Sequence, residues 1–155
     1  MKIVGVIGGS KVTEEIYNIA YEMGKLIGGK GYALVTGGLG GVMEAASKGA
    51  KEEGGLVIGI LPGSSKESAN RWVDIPILTG MGHARNVIIV QTADILIAID
   101  GALGTQSEIA FAKIYDKKII GIKCDLPIPI EKANSPKEAI KKIEEFFSKN
   151  QNKKN

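Results

Sequence analysis

Apolar residues along this chain follow two rhythms. Five short runs are apolar at nearly every position: Lys2–Ile7, Tyr32–Thr36, Leu56–Leu61, Ile95–Ile99 and Lys118–Ile122. Between them apolar residues recur every three or four positions, the period of a helix with one buried stripe. The clearest stripe is Ile16, Ile19, Ala20, Met23 and Ile27, introduced by Thr13 as a cap with Glu14 and Glu15 in the first turn. Further helices are expected from the Gly37–Gly41 turn to about Glu53, over 82–92, over 105–116 and over 135–148. Residues 62–80 keep neither rhythm and read as a long loop after the stop at Pro62 and Gly63.

Strands apolar on both faces and separated by helices imply a parallel sheet covered on both sides. The pattern predicts a single α/β domain over residues 1–148, a doubly wound Rossmann-like sheet with right-handed crossovers. Such folds bind ligands beyond the C-terminal ends of their strands. Three of the predicted strands end there in glycine-bearing turns: Gly8-Gly9-Ser10, Gly37-Gly38-Leu39-Gly40-Gly41, and the segment from Asp100 to Glu108. That convergence points to a nucleotide-like ligand.

Composition narrows the partners. Three of the 20 basic residues, Lys149, Lys153 and Lys154, lie in a polar tail over 149–155, leaving 17 basic against 17 acidic residues elsewhere. A neutral body with a basic, poorly ordered end is not a nucleic-acid groove. One cysteine, Cys124, allows no internal disulfide and reads as a packed thiol, while one histidine, His83, allows no histidine metal pair. No metal site is expected. No run approaches the roughly 20 apolar residues of a membrane span. The chain opens directly on a strand, so it is read as cytoplasmic, with no membrane partner. The apolar segment 82–92 exceeds what one sheet face needs, which predicts a homodimer or larger homo-oligomer.

The candidate chemistry gathers at two places. Asp100-Gly101-Ala102-Leu103-Gly104-Thr105-Gln106-Ser107-Glu108 joins a strand to a helix, so its backbone amides and the helix dipole converge on one point suited to a phosphate. Glu108, one turn inside, would repel that phosphate. It is read either as a group for chemistry or as the acidic half of a capping box with Thr105. The second place is Arg85, one of two arginines against 18 lysines. A cation at the start of the apolar helix opposes the dipole unless an anion lies nearby, and bidentate phosphate binding fits. An ion pair with Glu108 would satisfy the same charge. Gly24 to Lys30 has the spacing of a P-loop, but Gly31 stands where the hydroxyl residue belongs and the segment ends a helix, so a glycine cap is read there.

These residues resemble the Lonely Guy family, long labelled lysine decarboxylase-like. The resemblance spans residues 1 to about 122 and rests on Gly8-Gly9-Ser10, the turn from Thr36 to Met43, Val57 to Pro62, the Arg85 segment and the Gly104-Thr105-x-x-Glu108 turn. It implies cleavage of the N-glycosidic bond of a nucleoside 5′-monophosphate, a hydrolase needing no cofactor, with Arg85 and Glu108 as the catalytic pair. Gly8, Gly9, Ser10, Gly37, Gly38, Gly40, Gly41, Met43, Asn86, Gly101, Gly104 and Thr105 would then bind the ligand. Against the enzymatic pattern, Asp100 replaces a proline, Ala102 a glycine and Asn86 a lysine. Arg85-Asn86 looks more like the branch of molybdenum-cofactor carrier proteins, implying a bound molybdopterin-type ligand without turnover. No pyridoxal-binding lysine motif is visible, so decarboxylation is set aside.

Overall fold

The computed structural model describes residues 1–153, and the last two residues of the predicted tail lie outside it. Seven strands form one wholly parallel sheet: β1 (Ile3–Gly8), β2 (Ala33–Thr36), β3 (Val57–Leu61), β4 (Ile75–Leu78), β5 (Ile95–Ile99), β6 (Lys118–Ile122) and β7 (Glu131–Ala133). Their order across the sheet is β4-β3-β2-β1-β5-β6-β7. The chain winds outward from β1 to one edge and returns to lay β5 beside β1, so the winding direction reverses between those two strands. Gly8 pairs with Ile99 at their C-terminal ends, which opens the crevice expected of a doubly wound sheet.

Five helices cover the faces: α1 (Glu14–Gly29), α2 (Val42–Glu52), α3 (Asn86–Thr92), α4 (Leu103–Ile114) and α5 (Pro136–Asn152). One core layer joins α1, α2 and α5 to Val4, Val6, Leu34 and Ile97. The other joins α3 and α4 to Ile7, Val35, Ile60 and Leu96, and includes the buried Cys124. The α1–α2 contact is close because it uses glycine. A Cβ on Gly24 would stand 2.0 Å from the Ala46 carbonyl oxygen, and one on Gly49 would stand 2.1 Å from that of Tyr21.

The fold class and the five predicted strands are borne out, with shifts of a residue or two at their ends. Two strands went unpredicted, and each has a physical reason. β4 lies inside the expected loop 62–80; it has four residues, contains Pro76, and leaves Ile75, Ile77 and Leu78 exposed at the sheet edge. β7 has three residues, two of them exposed. The expected helix over 82–92 is a 3-10 turn, Gly82–Arg85, followed by the seven residues of α3. The last helix passes its expected end at Ser148 and runs to Asn152, taking most of the predicted tail into regular structure.

Candidate functional site

A cavity of about 470 Å³ opens at the β1–β5 crevice. Most of the residues singled out in the sequence meet there. Gly8, Gly9 and Ser10 enter from the end of β1, Gly37 and Met43 from the β2–α2 connection, and Gly104, Thr105 and Glu108 from α4. Arg85 and Asn86 enter where the 3-10 turn meets α3. Sequence reasoning missed the apolar walls: Ile7, Leu39, Ile89 and Leu103 line the cavity together with Val6 and Ala102, and the exposed His83 lies among them. Their signal was position alone, since Leu39 sits between the glycines and Leu103 inside the anion-binding turn.

Four expected ligand residues are not among the cavity walls, and each has structural work instead. Gly38 has a φ of +76° and lies against Leu61. Gly41 has a φ of +62°, and a Cβ there would stand 2.2 Å from the Gly9 carbonyl oxygen. Gly40 lies over the Ser10 carbonyl, and Gly101 packs on Leu126. The two glycine loops are therefore joined backbone to backbone, sealed by the Val42 N–H donating to Gly9 O at 3.0 Å. From the other side Asn70 clamps the second loop: its N–H donates to Gly38 O at 2.8 Å and its Nδ2 to Leu39 O at 2.9 Å.

Arg85 is buried, and its guanidinium is held by the fold. Nε donates to Ile60 O at 2.8 Å, Nη2 to Gly37 O at 3.5 Å, and Nη1 to Asn86 Oδ1. Gly37 is glycine because of this group: a Cβ there would lie 2.6 Å from Nη2 and 2.7 Å from Met43 Sδ. Arg85 and Glu108 share the cavity and attract each other through space, but among the described residues they form no direct ion pair. Burial pulls the Arg85 pKa down, with Glu108 opposing.

The capping box also fails. α4 begins at Leu103 with Ala102 as its N-cap and no side-chain cap, so Thr105 lies inside the first turn. Its first helical bond runs from Gln106 N–H to Ala102 O at 3.0 Å, leaving the amides of Leu103, Gly104 and Thr105 ahead of it. Thr105 is 1% exposed, and its Oγ1 is the buried side-chain polar atom without a partner among the described residues. Glu108 is 7% exposed, and burial pushes its carboxyl up to about 8, with Arg85 opposing. Burial thus favours the uncharged form of the group next to the anion site. The repulsion implied by the sequence is therefore weakened. Asp100 takes a left-handed φ of 59°, a conformation that aspartate tolerates in turns.

With this geometry in place, the chain can be set beside known proteins. The profile of the SLOG cluster4 family matches residues 1–153. The chain belongs to the SLOG cluster4 family. Within the wider Lonely Guy-like group, this SLOG cluster4 chain sides with the molybdenum-cofactor carriers. It superimposes on the molybdenum cofactor binding protein of Rippkaea orientalis with a TM-score of 0.89 and 38% identity, covering 94% of this chain and 97% of that one. The molybdenum cofactor carrier protein of Chlamydomonas reinhardtii gives a TM-score of 0.88 and 35% identity over 95% and 98%. The cytokinin riboside 5′-monophosphate phosphoribohydrolase of Mycobacterium tuberculosis is 31% identical over 116 residues, 68% of this chain and 62% of the enzyme. Among the described residues no helix is long and apolar enough to cross a membrane, and no group of three metal-ligating side chains occurs.

Proposed function

We propose that this chain binds a phosphorylated pterin of the molybdenum-cofactor type and carries it without turnover. The observation that carries the reading is Thr105 Oγ1, buried and unpartnered in the uncapped first turn of α4. A phosphate oxygen there would accept from the Thr105 hydroxyl and from the free amides of that turn. The donors fit a phosphate, and Ile7, Leu39, Met43 and Ile89 offer apolar walls to the faces of a flat bicyclic ring. Glu108 favours carriage over cleavage. Stabilising an oxocarbenium-like ribose needs a carboxylate, whereas burial favours the protonated form of this group, which suits a general acid but leaves the cavity without a carboxylate partner. The two molybdenum-cofactor proteins match over nearly their whole length, whereas the phosphoribohydrolase is matched over 62%.

Cleavage of a nucleoside monophosphate is the second reading, supported by Arg85 and Glu108 facing one cavity. One experiment separates the two. Purified protein is offered molybdenum cofactor released from a molybdoenzyme and, separately, a panel of nucleoside 5′-monophosphates, with mass spectrometry of retained ligand and of free base. Retained cofactor with no free base is expected. Base release abolished by Glu108→Gln would replace carriage with hydrolysis.

We also propose that the chain works in the cytoplasm as a homodimer, using the outer stripe of α4. Leu103 and Ile114, 84% and 70% exposed, lie with Ala110 on one line of that helix. Exposed apolar residues aligned on a helix need a partner surface.

A further inference from the structure

The sequence placed Asn86 among the ligand-binding residues, yet its side chain is committed within the protein. It is 1% exposed. Its Oδ1 accepts from Arg85 Nη1, while its Nδ2 donates to Ser107 Oγ at 3.0 Å and, at 3.5 Å, to Gly104 O. Ser107 Oγ in turn donates to Gly104 O at 2.8 Å. Arg85 is fastened beyond this to Ile60 O and Gly37 O. A continuous hydrogen-bonded line thus runs from the ends of β2 and β3, through the guanidinium and the Asn86 amide, to the first turn of α4. The line joins the two halves of the cavity. One half carries its buried cation, and the other carries the unpartnered Thr105 hydroxyl.

We propose that Asn86 is the positioning residue of this site, and that it sets the spacing between Arg85 and the α4 amides to fit one phosphate. The inference rests on the anion site described under Proposed function. Only a side chain that both accepts and donates can make this link. The amide oxygen takes the guanidinium N–H and the amide nitrogen gives to α4. A carboxylate would lose the bond to Gly104 and could hold Ser107 only by drawing its hydroxyl away from Gly104 O, and an ammonium would lose the bond from Arg85. The amide is also neutral, so Arg85 remains the one buried cation of the cavity among the described residues. Because Gly104 O is occupied by Ser107 and approached by Asn86, the first turn of α4 is held with its carbonyl tied and its amides free.

The test uses inorganic phosphate as the probe and the backbone amides of Gly104 and Thr105 as reporters, followed by nitrogen-15 NMR during titration. The wild type is expected to show saturable shifts at both amides. Asn86→Ala leaves Arg85, Thr105 and the amides in place, yet phosphate binding should weaken about 3- to 10-fold, the effect of one or two hydrogen bonds. Ser107→Ala cuts the same line on the α4 side and should weaken binding less, without touching Arg85. Since both variants act on the one link between Arg85 and α4, the loss in the double variant should fall short of the product of the two single losses. General loosening of the structure would give losses that multiply instead. Wild-type affinity in the single variants, or multiplied losses in the double variant, would overturn the inference and leave the anion site standing. If the wild-type amides do not respond to phosphate at all, the anion-site reading falls, and the role of Asn86 with it. Should Asn86→Ala fail to fold, Ser107→Ala carries the decision: unchanged affinity there overturns the proposal.

Discussion

Glu108 sits in the cavity as a carboxyl that burial keeps protonated, and this makes its pH behaviour specific. Its folded-state pKa of about 8 lies above the ordinary value of 4.5. Between those values the folded state holds a proton that the unfolded chain has lost. The stability contribution of this group is therefore full below pH 4.5, declines as pH rises, and is flat above about 8. Glu108→Gln should remove that slope, so its melting temperature should rise relative to wild type with increasing pH up to about 8. Thermal scans from pH 5 to 9 measure this, and a constant offset would contradict it. Phosphate affinity should also fall in wild type above pH 8, as the new carboxylate repels the anion, but not in the glutamine variant. Gly37 allows a second single-residue test. Its added Cβ would press on the ends of two flexible side chains, Arg85 and Met43, and not on backbone. Gly37→Ala should fold with a modest loss of melting temperature but weaken phosphate binding severalfold, because the guanidinium must move.

Among the elements, the same substitution has a different consequence where glycine faces backbone. α1 approaches α2 through Gly24 and Gly49, with no room for a methyl group against the opposing carbonyls. Gly24→Ala should cost about 1–3 kcal/mol by overpacking, as denaturant melts would show, and leave the cavity's lining unchanged. This contact was only half legible in the sequence. Gly24 to Lys30 read as the end of a helix, and the end is real: Lys30 N–H bonds to Leu26 O and Gly31 takes a φ of +76°. Gly24 and Gly28, however, are one turn apart on the buried face, and what they pack against is visible only in three dimensions. The strands were legible for the opposite reason, since burial on both faces writes itself as an unbroken apolar run. β4 and β7 lack that burial and left no such run. In the site, the glycine turns, Arg85 and Thr105 could be singled out from the sequence because they stand at the C-terminal ends of strands or the start of a helix, where a doubly wound sheet opens its crevice. Asn86 was marked in the sequence only as a ligand residue and Ser107 gave no signal, since their significance lies in which atoms they join.

For the whole molecule, the two sheet faces are unequally covered. Three helices pack on one and two on the other, one of them only seven residues long. The exposed stripe of α4 belongs to the thinner layer. If it forms the dimer, light scattering should report twice the monomer mass at micromolar concentration, and Ile114→Glu should return the monomer with its fold intact. Leu103 belongs both to this stripe and to the cavity wall, so the dimer would set a second copy close to the cavity mouth.

The clamp made by Asn70 gives the exposed edge of the sheet a dynamic part in ligand binding. β4 has one neighbour, β3, and leaves its apolar side chains open to water, so it is expected to open locally before the central strands. Asn70, just ahead of β4, grips the carbonyls of the glycine loop that frames the cavity. Opening the edge therefore releases one wall of the site. A bound ligand, by holding that wall, should slow amide hydrogen exchange across residues 70–79, well away from any atom it touches.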